Sequence, residues 1–136
     1  MKKIVIIDGQ GGKMGAALTA QFKEALPQAE IVAVGTNSTA TTAMLRAGAD
    51  AGATGENPVV VGCADADLIA GPMGIITANA LYGEITPRMA AAVSESKAQK
   101  LLIPVNRCSV TVVGVEELPL GEYVKLAGEK AKEILQ

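Results

Sequence analysis

The chain has 136 residues, enough for one domain with a real buried core, and its 14 acidic side chains outnumber 12 basic ones for a net charge of −2. Almost half of it is hydrophobic, but nearly all of that is aliphatic or alanine: Phe22 is the only phenylalanine, Tyr82 and Tyr123 the only tyrosines, and tryptophan is absent. With neither a basic stripe for a phosphate backbone nor aromatic platforms for unstacked bases, nucleic acid is excluded as a partner.

Histidine is also absent. That removes the commonest general base, every histidine-containing triad and the usual zinc sites, so no metal is expected. The N-terminal apolar run ends at Asp8, too early for a signal-peptide core, and no segment is apolar for the length of a membrane span. A cytoplasmic protein is expected, with Cys63 and Cys108 as free thiols rather than a disulfide.

Strand and helix patterns alternate from the start. Residues 3–8 read as a buried strand, and 12–26 as a helix with Met14, Leu18, Phe22 and Leu26 at helical spacing before Pro27. A second strand over 30–34 leads to a short helix over 38–47, capped by Asn37 or Ser38. Gly48, Gly52 and Gly55 mark 48–57 as a loop, and the apolar runs 58–62 and 67–70 read as two strands. The turn Gly71-Pro72-Met73-Gly74 opens an apolar helical segment running to Tyr82, and Thr86-Pro87 starts a helix reaching about Lys97. Strands over 100–105 and 109–115 and a helix over 120–135 complete the chain. This order implies right-handed crossovers and a three-layer, Rossmann-like, doubly wound and mostly parallel α/β sheet in a single domain.

The chemistry concentrates where the first strand meets the first helix, in Asp8-Gly9-Gln10-Gly11-Gly12-Lys13-Met14-Gly15. Gly9 lets the chain leave the strand tightly, Gly11 and Gly12 leave room for a pyrophosphate to approach the amides, and Gly15 lets the helix lie close to the sheet. The helix N-terminus adds unpaired N–H groups and partial positive charge. This turn resembles the dinucleotide-binding turn of dihydrodipicolinate reductase, a similarity confined to about the first 35 residues, and it implies NAD(P). The second strand, however, ends in Gly35-Thr36-Asn37-Ser38 without the carboxylate that grips an NAD ribose. These hydroxyls and amide either hold a 2′-phosphate, favouring NADP, or cap the next helix. Asp8 either repels a phosphate, fills the helix N-terminus itself, or binds a ribose hydroxyl or a metal.

Three turns are expected to meet at the carboxyl ends of the strands: 8–12, 71–74 and 104–109. The backbone of Gly71-Pro72-Met73-Gly74 is placed to press on a cofactor, or else simply starts a helix, and Asn79 to contact a ligand or bond to backbone. In the third turn Arg107 offers a forked cation for a carboxylate or phosphate, and Asn106 a paired donor and acceptor. Cys108 is either a nucleophile or an inert thiol. Asp65 and Asp67 read as caps or solvated groups, and Glu84 and Thr86 as caps first and catalytic groups second.

The strings IVIIDGQGGKMG, VAVGTNSTATTAMLRAGADAGATGEN, DLIAGPMGIITANALYGEITPRMA and LLIPVNRC together resemble a short bacterial family, domain of unknown function 3842, up to about Gly114. The resemblance brings no activity or substrate with it. Three functions remain open: a nucleotide-binding Rossmann-like module with NAD(P) as favoured ligand; a sensor for a nucleotide or coenzyme A without turnover; and an enzyme acting on a small anionic metabolite through Asn106, Arg107 and Cys108. A homodimer or higher homo-oligomer is expected, because a chain this short holds no second domain to wall a substrate cleft.

Overall fold

Lys3–Asp8 (β1) runs through the middle of a five-stranded sheet, and its alternate side chains serve two separate cores. The computed structural model describes residues 1–105 and 109–136. The remaining strands are Glu30–Gly35 (β2), Ala51–Thr54 (β3), Leu68–Pro72 (β4) and Gln99–Ile103 (β5), all parallel, in the order β3-β2-β1-β4-β5. Ile4 pairs with Ile31 on one side and Leu68 on the other.

Ile4 and Ile6 point to the face covered by helices Lys13–Ala25 (α1), Ser38–Arg46 (α2) and Leu120–Leu135 (α5), among Leu18, Phe22, Met44 and Ala127. Val5 and Ile7 point to the face covered by Glu56–Ala64 (α3) and Pro87–Glu95 (α4), among Val59, Met89 and Val93. A central strand buried on both faces must be apolar throughout, which is why β1 reads as an unbroken aliphatic run. The chain winds outward from β1 to β2 to β3, then returns to place β4 beside β1. The switch point therefore lies between β1 and β4.

Four expectations are corrected. Residues 58–62 are helical, inside α3, and not a strand: Val59, Gly62 and Cys63 recur at helical spacing on the buried side while Val61 is exposed, and Pro58 sits in the first turn, where its missing N–H costs nothing. The stretch 48–57 is not all loop, since Ala51–Thr54 adds a strand to the sheet edge beside β2. Past a single 3-10 turn at Met73–Ile76, residues 77–85 form an irregular excursion and not a helix, with Asn79, Leu81, Tyr82 and Gly83 all at positive φ. Residues 109–115 form no strand; Gly114 breaks the run at φ 83°, and beyond it the Tyr123 hydroxyl donates to the Glu116 carbonyl (2.6 Å) and accepts from the Leu118 amide (3.2 Å), holding the chain in the path that enters α5.

Candidate functional site

The glycine turn lies at the switch point. Gly12 takes φ 73°, its amide donates to the Gly9 carbonyl (2.9 Å), and its carbonyl accepts from Ala16 as α1 begins. Gly12 has a second constraint, because a Cβ there would lie 2.7 Å from the Ala40 backbone of α2. Gly15 likewise faces the Met44 sulfur and the Asp8 Cβ. Gly11 differs from both. Nothing lies within 4 Å of where its Cβ would stand, so its surroundings are open.

Asp8 is buried (5% exposed) beneath the turn. One carboxylate oxygen accepts from the Gly9 amide (2.8 Å) and the other from the Gly15 amide in the first turn of α1 (2.7 Å). Burial pushes its pKa up, the Gly15 and Gly9 bonds pull it down, the nearby Glu84 charge adds to the rise, and the net direction is upward. Asp8 thus occupies one orphan amide of the helix end from inside. The amides of Gly11, Lys13 and Met14 hydrogen-bond to no described residue, and they remain as the donors of the helix N-terminus.

Above the turn stands a residue whose sequence context suggested a cap first and a catalytic group second. Glu84, at the end of the 77–85 excursion, brings its Oε1 to three donors: the Thr36 hydroxyl (2.5 Å), the Asn37 side-chain amide (2.8 Å) and the Gln10 backbone amide (2.9 Å). Burial alone would raise its pKa; the bonds from Thr36, Gln10 and Asn37 outweigh it, and the carboxyl is held below its ordinary range. Asn37 also caps α2 through the Ala40 amide (2.9 Å) and donates to the Gln10 carbonyl (3.0 Å), so the β2 tip, the glycine turn and the excursion form one network. No local signal marks Glu84, because its partners lie 47 to 74 residues away.

Two clefts flank the turn, and adjacent residues divide between them. Gln10 borders an open cleft of about 570 Å³ formed with residues 77–82 and Ser109. Gly11 borders a smaller one of about 280 Å³ with Ser38, Thr39, Thr42, Ala43 and Arg46. Gln10, Asn79, Leu81, Tyr82 and Ser109, the non-glycine residues at positive φ among those described, all line the first cleft. Backbone held in a sparsely populated region gathers where function demands a shape. The second cleft carries hydroxyls and the Arg46 guanidinium but no carboxylate, and Arg46 pairs with no described acidic residue.

The other sequence-selected positions lie as follows. Gly71 and Pro72 close β4, with Gly71 packed against the Ile7 carbonyl, and Met73 and Gly74 start the 3-10 turn; none of the four lines either cleft. Asn79 lines the larger cleft, its backbone amide bonded to the Ile85 carbonyl (2.7 Å). Thr86 caps α4 and donates to Glu56 (2.6 Å). Asn106, Arg107 and Cys108 lie outside the described residues, although Ser109 brings that part of the chain to the larger cleft. Among the described residues no cluster of acidic or thiol groups suits a metal ion, and no helix is long and apolar enough to cross a membrane.

None of the curated proteins matches this chain. Among solved structures it is similar to the dodecameric FMN-dependent UbiX-like decarboxylase of Escherichia coli O157:H7, at 20% identity and a TM-score of 0.49, over 97% of this chain and 76% of that one. One family pattern runs through residues 3–136, nearly the whole chain, and the protein belongs to that family, described as domain of unknown function 3842.

Proposed function

We propose that this protein binds a dinucleotide cofactor across the glycine turn, with NAD(P) the favoured ligand. The observation that carries the reading is the set of amides of Gly11, Lys13 and Met14 that bond to no described residue, at the N-terminus of α1 and sited at the switch point with a cleft on either side. Gly11, with open space at its Cβ position, admits close approach of a diphosphate to these amides, and the exposed Lys13 adds a cation beside them. Asp8 does not oppose this, because both its oxygens are turned to backbone donors under the turn. Two clefts separated by a phosphate-binding saddle suit a ligand with two nucleoside halves better than a mononucleotide. A bound nicotinamide would supply hydride exchange; the chain's own part is to hold the diphosphate and to shape the larger cleft around the second half. A second copy of the chain is the natural further wall of that cleft, where Tyr82 is 99% exposed.

The second reading, a sensor for a nucleotide or coenzyme A without turnover, is favoured by one observation. The carboxylates at the turn hold internal donors, Asp8 through both oxygens and Glu84 through Oε1, and among the described residues neither is paired with a general acid or base.

A thermal-shift panel of NAD, NADH, NADP, NADPH, ATP, coenzyme A and inorganic phosphate tests the reading. A ligand at about 100 times its dissociation constant stabilises the fold by roughly 2.7 kcal/mol, which is a clear rise in melting temperature. A rise with a dinucleotide supports the proposal, a rise with coenzyme A alone supports the second reading, and no rise at all contradicts both.

A further inference from the structure

The sequence of β2 lacks the acidic residue that grips a ribose in dinucleotide-binding βαβ units, since the strand runs out into Thr36-Asn37-Ser38. Yet a carboxylate stands at that tip. It arrives from the other side of the sheet's switch point, on the excursion between β4 and α4, and the β2 tip itself holds it: Thr36 and Asn37 both donate to Glu84 Oε1, and the glycine turn adds the Gln10 amide. Three donors converging on one oxygen fix the carboxylate in place, and Oε2 takes part in none of these bonds. The space beside Gly9 is closed by Thr36, Glu84 Oε1 and Leu81 together, so this carboxylate packs against the turn beside the two clefts without lining either.

We infer that Glu84 is the ribose-recognising carboxylate of this site, accepting hydrogen bonds from an unsubstituted 2′,3′-diol, and that it makes the protein select NAD over NADP. The inference rests on the dinucleotide reading above. An ionised carboxylate offers acceptors only, so a sugar hydroxyl is its natural partner. A 2′-phosphate has no hydroxyl to give at that position and brings like charge, and a charge-matched site rejects it through both losses. Thr36 and Asn37 then have a different task from the one their side chains suggest: they position Glu84 rather than touch the sugar's phosphate. The Arg46 and Thr42 shelf on the far side of Gly11 is the competing home for a 2′-phosphate, and its dominance would show as a preference for NADP.

Isothermal titration of the whole chain with NAD, NADP and 2′-deoxy-NAD decides the matter. The wild type is expected to bind NAD at least tenfold more tightly than either of the others. Glu84→Gln is expected to weaken NAD at least tenfold, leave 2′-deoxy-NAD within about threefold and bind NADP no less tightly than the wild type, so that discrimination collapses. A latch that merely orders the excursion would weaken all three alike and leave the ratios standing, which overturns the inference. Equal wild-type affinities, or a preference for NADP, overturn it without touching the dinucleotide reading, and they do so even if Glu84→Gln fails to fold. No binding by any of the three overturns both.

Discussion

The Glu84 carboxylate and the Gln10 backbone amide are joined by a 2.9 Å hydrogen bond across 74 residues of sequence. Gln10 is itself held at φ 51°, and its carbonyl accepts from Asn37 in the same network. The shape of the glycine turn thus depends on an acidic side chain from a separate connection, as well as on its own glycines.

Replacing that acid gives the first prediction. Glu84→Gln keeps the size of the side chain but loses the charge on the accepting oxygen, and it should cost about 1 kcal/mol of folding stability at neutral pH. The pKa of Glu84 is lowered in the folded state, so its contribution is present above the ordinary carboxylate range and is lost as the pH falls through the folded value. Urea titrations of the two proteins should therefore differ at pH 7 and converge as the pH falls below the ordinary carboxylate range. A difference that persists unchanged into acid would show that the carboxylate's charge is not what the network uses.

Asp8 behaves with the opposite sign. Its folded pKa is raised, so its titration contributes stability below the unfolded value of 3.8, and that contribution is lost as the pH rises through the folded value. Asp8→Asn offers one oxygen where two amides need acceptors, and it sets an NH2 group against either Gly9 or Gly15. The expected cost at neutral pH is about 1–3 kcal/mol. The gap between wild type and variant should narrow from acid toward neutral pH, and chemical unfolding across that range measures it.

Two glycines separate folding from binding. A Cβ at Gly71 would collide with the Ile7 backbone of the central strand, so Gly71→Ala should lose about 1–3 kcal/mol or more. Gly11→Ala meets nothing within 4 Å and should leave the melting temperature within a few degrees, while weakening the dinucleotide by tenfold or more. Calorimetry for stability and titration for binding should thus rank the two variants in opposite orders.

Tyr82 is almost wholly exposed at φ 57°, a conformation that costs an L-residue about 1–2 kcal/mol. Tyr82→Gly relieves this without removing packing, and the greater chain entropy of glycine offsets part of the gain. A net rise in stability of about 0.5–1 kcal/mol is expected in thermal unfolding. If the variant also binds its ligand less well, the strained tip is shaped for the cleft it lines.

Much of the framework was legible because its signals are local. The aliphatic run of β1, the helical spacing of Met14, Leu18 and Phe22, the Asn37 cap and the Thr86-Pro87 start are all decided within a few residues, and each forms as expected. Val59-Val60-Val61 misled because three β-branched residues in a row suit a strand, whereas the face that packs on Val5 and Val34, seen at Gly62, is set by the tertiary structure. Ala51–Thr54 carries no strand-like apolar pattern and is ordered by pairing with β2, with Gly52 lying under Leu45. At the site, the turn itself was visible, but Glu84 was not. Its role comes from donors on two other segments, and spacing along the chain encodes nothing of that.

The most direct test of the account is an amide-resolved NMR titration of the labelled protein with NAD. Binding across the turn predicts that the amides of Gly11, Lys13 and Met14 shift first and furthest, with further changes at Gln10 and along residues 77–82. Saturable shifts confined elsewhere, for example at the Met1, Leu26 and Leu135 pocket on the opposite end of the sheet, or no shifts at all, would contradict it.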